Sequence, residues 1–218
     1  MARTITVKGV GNVSVKPDYI TITMSVEECT PIYEATMCLA ASKVEEIQNA
    51  AMRVGYQKTD VKTTRFNVDT RYDSVKDRYG NYKREFMGYV CSYCLKLSFD
   101  FDSKQLATVL TALAECGANP ELRVAFTVKD PSAVSEALLV SATENARAKA
   151  EILCRASGAQ LGELLTIDYN WGELNIYSRT RYDVDVDCMP MLASRAAPDI
   201  EPEDIDASDT VAFVWEIK

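Results

Sequence analysis

Ile5-Thr6-Val7 alternates apolar and polar residues with a period of two, the mark of a half-buried strand. Gly9-Val10-Gly11-Asn12 follows and predicts a turn into a second strand, so the two are expected to form a hairpin. In that second strand Val13 and Val15 are odd-numbered, whereas past Lys16-Pro17-Asp18 the apolar set Ile20, Ile22, Met24 and Val26 is even. One residue of phase has been gained. This predicts a bulge or bend at Pro17, with Val13, Val15, Ile20 and Ile22 on one face.

The period then changes. Thr30-Pro31 has the chemistry of an N-cap and first helical position, and Met37, Ala40, Val44, Ile47, Ala51 and Val54 recur in steps of three and four up to Gly55. Two long strands are predicted next, about 61–75 and 82–99, joined near Gly80-Asn81. In the second, Tyr89, Cys91, Tyr93, Leu95, Leu97 and Phe99 share a face. A helix follows over 103–116 with Leu106, Leu110 and Leu113 on its stripe, then a strand through Leu122, Val124, Phe126 and Val128. Asp130-Pro131 caps a long alanine-rich helix reaching Ala156, with Gly158 behind it. Leu164–Trp171 reads as a sixth strand, and Val211, Phe213, Trp215 and Ile217 alternate in a seventh. The order ββαββαβαββ lacks strict alternation, so the fold class is α+β: an antiparallel or mixed sheet packed by helices, with a protruding long β-hairpin. One domain, 1–218, is expected.

Composition narrows the chemistry. The chain has no histidine, which removes Ser-His-Asp and Cys-His catalysis and histidine metal sites. The net charge of −8 is concentrated in the segment 183–209, expected to be an irregular connection containing Pro190, Pro198 and Pro202. No run approaches the roughly 20 apolar residues of a membrane-spanning helix. The N-terminus lacks the apolar core of a signal peptide, and the seven cysteines are odd in number and scattered, so reduced thiols and a cytoplasmic location are expected. Export is the alternative if a leader has been removed.

Several stretches together carry a resemblance. Ile5-Thr6-Val7-Lys8-Gly9-Val10-Gly11-Asn12-Val13 with Pro17-Asp18, then Gly88-Tyr89, then Ala142-Thr143-Glu144-Asn145-Ala146-Arg147-Ala148-Lys149-Ala150-Glu151-Ile152-Leu153 with Gly158 and Leu161-Gly162, resemble the SIMPL-domain family, over nearly the whole chain. That bacterial family includes the YggE protein and the brucella periplasmic immunogenic protein. The resemblance implies an α+β fold that self-assembles, links to oxidative-stress tolerance and to signalling partners, and no established catalytic residue. Most known members are exported. Glu203 stands where the family is expected to have glycine.

Candidate sites must survive plainer readings. Gly9-Val10-Gly11 leads into a strand, and a strand start cannot hold a phosphate as a helix N-terminus does. Cys91 and Cys94 have the spacing of half a zinc knuckle, yet on a strand an offset of three sends them to opposite faces, and no second pair completes the ligand set. Asp183, Asp185 and Asp187 alternate as in a calcium loop, but Cys188 and Ser194 occupy the places of the required glycine and glutamate. Cation binding there stays open. Between Arg65 and Tyr89, Phe66, Tyr72, Tyr79, Tyr82 and Phe86 interleave with Arg65, Arg71, Lys76, Arg78, Lys83 and Arg84, and four acids leave the segment at only +2. That charge is thin for nucleic acid, so Tyr72, Tyr79, Tyr82 and Phe86 are expected to form an oligomer contact. The resulting expectation is a non-enzymatic homo-oligomeric scaffold or binding protein, with no cofactor and no metal. A carboxylate-dependent hydrolase and a single-strand nucleic-acid binder are the alternatives.

Overall fold

Lys16-Pro17-Asp18 separates two strands that belong to different sheets. The computed structural model describes residues 3–76, 82–170, 174–184 and 200–218. Strand β1 runs Thr4–Val15 and β2 Tyr19–Thr30. The change of phase at Pro17 is therefore a change of sheet, and the bulge with one shared face expected there does not exist. Pro17 interrupts the ladder, and Asp18 anchors the crossing: its N–H donates to the Thr127 carbonyl at 3.1 Å and its carboxylate accepts from the Lys129 N–H at 2.7 Å.

The remaining elements are α1 (Tyr33–Arg53), β3 (Lys62–Lys76), β4 (Tyr82–Asp100), α2 (Ser103–Ala114), β5 (Glu121–Thr127), α3 (Pro131–Ser157), β6 (Leu161–Asp168), β7 (Tyr177–Val184) and β8 (Ile205–Ile217). They form a three-stranded sheet, β1-β8-β6, and a five-stranded sheet, β3-β4-β2-β5-β7. The α+β class holds. Strand β7 is an addition: it lies mostly between the predicted sixth strand and the segment 183–209, where no element was expected, and only its last two residues enter that segment. Of the acidic segment 183–209, residues 185–199 lie outside the described residues, as do Tyr79 and Trp171. Asp209 and its predecessors from Ile205 already belong to β8.

The chain divides into two compact units, one made of Met1–Asp18, Phe126–Arg179 and Pro202–Lys218, the other of Tyr19–Ala125 and Thr180–Glu201. In the first, β1 pairs antiparallel with β8 from Thr4↔Glu216 to Val15↔Ile205, and α3 lies across both strands. Leu138, Ala142, Ala146, Ala150 and Cys154 recur every fourth residue, and all are buried. Such a seam of small side chains lets helix and sheet approach closely. It meets Val7, Val211, Phe213 and Trp215, with the last two rings stacked 5.3 Å apart.

Gly9 and Gly11 are part of this approach and not of a turn, because β1 continues through them without interruption. A methyl group at Gly9 would stand 2.0 Å from the Ala142 carbonyl oxygen, and one at Gly11 would stand 2.1 Å from that of Leu138. The expected hairpin at these residues is replaced by one long strand. The next stripe of α3 faces the outer edge of that strand. The Asn145 side-chain Oδ1 accepts from the Val10 N–H at 3.0 Å, Ser141 Oγ accepts from the Asn12 N–H at 3.3 Å, and Lys149 Nζ donates to the Lys8 carbonyl at 3.2 Å. Backbone groups that a sheet edge would leave bare are met by helix side chains. The helix itself starts and stops as expected: Asp130 accepts from the N–H groups of Ser132 and Ala133, Pro131 opens the first turn, and Gly158 closes the last at φ 75°.

In the second unit α1 and α2 cover one face of the sheet. Ile20, Ile22, Met24, Cys91, Leu95, Leu97, Leu106, Leu110 and Leu113 are buried there. Helix α1 begins at Tyr33, three residues past the expected cap, because Thr30 is still in β2 and its hydroxyl bonds Thr36 Oγ1 at 2.7 Å and the Ile32 carbonyl at 2.8 Å. Asp102 caps α2, accepting from Lys104 and Gln105.

Candidate interaction surface

Beyond the ground covered by α1, β3 and β4 continue as an arm. Gly88 marks where it leaves the sheet. A Cβ there would stand 2.5 Å from the Thr30 carbonyl oxygen, so only glycine lets β4 pass this close to the end of β2. Immediately beyond, the register of β3 with β4 shifts from Arg71↔Gly88 to Tyr72↔Phe86, leaving Met87 as the extra residue of a bulge. From Lys62 to Lys76 every residue of β3 is exposed except the half-buried Val68, and the first six residues of β4 are exposed as well.

On one face the arm carries a relay of aromatic edges. Tyr33 at the start of α1 meets Tyr89 at 5.5 Å, Tyr89 meets Phe86 at 5.3 Å, and Phe86 meets Tyr72 at 5.6 Å, all near perpendicular. The Arg84 guanidinium sits 5.0 Å from the Tyr72 ring centre, and Lys76 lies 5.3 Å from the Tyr82 ring. Nearer the sheet, Phe66 packs on Tyr93 at 4.7 Å. Each aromatic pair contributes about 0.5–1.5 kcal/mol beyond its buried area, enough to stiffen the arm without hiding it. Tyr72 remains 46% exposed, Tyr82 70% and Phe86 41%. The structure brings Tyr72 and Phe86 into one relay and sets Tyr82 against Lys76. Tyr33 was absent from the expected set: it precedes the apolar stripe of α1 and gives no periodic signal of its own.

The cysteines occupy separate places. The six within the described residues are free thiols, with no disulfide among them. Cys91 is buried under the helices and Cys94 faces the opposite side, as alternation requires. Cys94 lines an open groove of about 390 Å³ together with Ser25, Glu27, Arg65, Asn67 and Glu121. Between α1 and the end of α2 a wider cleft of about 610 Å³ is lined by Glu46, Asn49, Arg53, Glu115, Cys116 and Gly117. Burial pushes the Cys116 thiol above its ordinary value, and it donates to the Leu113 carbonyl at 3.1 Å. A thiol held protonated in this way is a poor nucleophile. Glu46 presses one carboxylate oxygen, buried and without a hydrogen-bond partner, toward Gly117. Among the described residues no group of three or more Cys, Asp or Glu stands together as a metal-binding set. Nor, among them, is any helix long and apolar enough to cross a membrane.

The fold and this surface define an α+β protein whose most distinctive feature is an exposed aromatic β-arm. The family described as SIMPL, a protein of unknown function (DUF541), matches residues 5–215, and the chain belongs to that family. The motifs quoted above gain physical meaning from the coordinates: the paired glycines and the alanine-rich helix are the two sides of one close contact. A comparison with curated proteins found no match. Among solved structures, the regulatory subunit of aspartate kinase from Thermus flavus aligns over 97% of this chain and 90% of its own, at 12% identity and a TM-score of 0.15. Agreement at that level supports no inference about this chain.

Proposed function

We propose that this chain is a non-enzymatic scaffold or binding module that works as a homo-oligomer, with the β3–β4 arm as its contact. The supporting observation is the relay Tyr33–Tyr89–Phe86–Tyr72–Arg84, an ordered row of large side chains left substantially open to water. Interface centres favour Tyr, Phe and Arg, and rigid aromatics lose little conformational freedom when a partner covers them. A part in oxidative-stress tolerance belongs to the same reading through family kinship. The test is the light-scattering mass of the full chain beside that of a variant with Tyr72, Tyr82 and Phe86 replaced by Ser. We expect a multiple of 24.2 kDa for the parent and a smaller mass for the variant, with unchanged far-ultraviolet circular dichroism. Equal masses would sink the proposal. A parent that is monomeric, and whose affinity for single-stranded DNA falls in the variant, would favour base stacking on the same rings instead.

A further inference from the structure

Resting on that reading, the partner and the geometry of the contact can be named. Strand β3 is an edge of its sheet, and among the described residues nothing pairs with its outer side. From Arg65 to Lys76 its pairing with β4 contains no inserted residue on the β3 side, so its side chains alternate strictly. Phe66, Val68, Thr70 and Tyr72 lie on one face, and Arg65, Asn67, Asp69, Arg71 and Asp73 on the other. No proline or glycine interrupts it. This edge is long, uncovered and free of proline, and its charges alternate in sign, so they select a register for pairing where a single sign would oppose it.

A two-fold axis that makes two copies of one edge strand antiparallel must stand normal to the sheet. It therefore keeps faces matched and passes through a residue that opposes its own copy. The charges then discriminate between centres. Centring on Val68 opposes Arg65 to Arg71, centring on Asp69 opposes that carboxylate to itself, and centring on Arg71 opposes Asp69 to Asp73. Centring on Thr70 opposes Asp69 to Arg71 twice, Asn67 to Asp73, Val68 to Tyr72 and Thr70 to itself, with no like charges opposed over residues 64–76. Centres at Phe66, Asn67 and Tyr72, and uncharged centres nearer the strand ends, also avoid repulsion but pair shorter stretches, 62–70, 62–72 and 68–76 for the first three. Arg71 is available for this role, since its contact with Glu27 is long at 3.8 Å and both side chains are more than half exposed. We propose that a second copy of this chain adds antiparallel to β3 about a two-fold axis at Thr70, joining two five-stranded sheets and setting two aromatic faces side by side.

The experiment is a charge exchange read by light scattering, with circular dichroism as the check on folding. Asp69→Arg opposes arginine to arginine at both symmetric positions and should weaken self-association by about tenfold or more, lowering the mass. Adding Arg71→Asp restores opposite charges in this register and should restore the mass. A parent that is monomeric would overturn both this inference and the self-assembly reading. A parent that assembles but ignores Asp69→Arg would overturn the Thr70 register, leaving self-assembly itself standing. Rescue by Arg65→Asp and not by Arg71→Asp would overturn the Thr70 register in favour of the Asn67 centre, and rescue by neither would overturn the pairing.

Discussion

Strands β1 and β3 both lie at the edge of a sheet, and their outer sides are treated in opposite ways. The outer backbone of β1 is met by Ser141, Asn145 and Lys149 of α3, and its inward positions shrink to glycine where the helix is closest. The outer side of β3 is met by nothing among the described residues, and its side chains are large and exposed. An edge closed by the chain's own helix is a packing surface, and its residues answer to stability. An edge left open and decorated with aromatic rings answers to association. Substitutions in the two strands should therefore separate cleanly by what they change.

The largest effect belongs to β1. Gly9→Val forces a side chain into the Ala142 backbone, which cannot retreat without moving α3, and should cost about 3 kcal/mol or more. Urea denaturation should show a much lower midpoint or no cooperative transition, and a parental midpoint would refute the close-contact account. Thr70→Val in β3 is the counterpart, and should stay within about 0.5 kcal/mol.

A middle-sized effect tests the closed edge. Asn145→Ala removes the acceptor for the Val10 N–H, and an orphaned backbone donor at this partly buried site should cost about 1–2 kcal/mol in the same titration. If exposure of the β1 edge matters as the comparison implies, this variant should also aggregate faster on warming than the parent. On the arm, replacing Tyr72, Tyr82 and Phe86 by Ser should move the stability of a subunit by less than about 1 kcal/mol while lowering the mass of the assembly, since these rings meet one another or the arm residues Lys76, Arg84 and Tyr89 and not the buried core.

The smallest effect is a pH dependence. Burial raises the Cys116 thiol above its ordinary 9.0 and the Tyr56 phenol above its ordinary 10.0. Both groups are neutral when protonated, so in the alkaline range the unfolded chain loses these protons first. Their contribution is fully present below pH 9 and declines as pH rises past that point through the higher folded values. The urea midpoint should fall slightly above pH 9, and Cys116→Ala should flatten the first part of that fall. A midpoint that climbed over this range would contradict it.

Much of the fold was legible in the residues, and the exceptions have identifiable causes. Helix α3 was readable at both ends because Asp130-Pro131 and Gly158 act locally. Gly9 and Gly11 have the local signature of a turn because glycine serves tight turns and close approaches alike, and the approaching helix lies more than a hundred residues further along the chain. The odd-to-even switch across Pro17 was a true signal, but periodicity cannot distinguish a bulge from a change of sheet. No apolar alternation announces strand β7, because the inward positions after Ile176 are Ser178, Thr180 and Tyr182, with Ser178 bonded to the Glu203 carbonyl. The aromatic composition of the arm was plain from the start, yet its bend depends on Gly88 meeting the Thr30 carbonyl, a contact no local pattern encodes.

The pairing of β1 with β8 also dictates an order of events during synthesis. Ile5 lies opposite Trp215, so β1 leaves the ribosome about two hundred residues ahead of the strand that gives it a neighbour. The unit built mainly from Tyr19–Ala125 needs no such wait, since the strands and helices that form its core arrive together. Until β8 is made, the unit built mainly from Tyr19–Ala125 can fold while β1 stays unpaired. The glycines and polar residues of Lys8–Ser14 keep that waiting segment poor in the large apolar side chains that would recruit a neighbouring nascent chain.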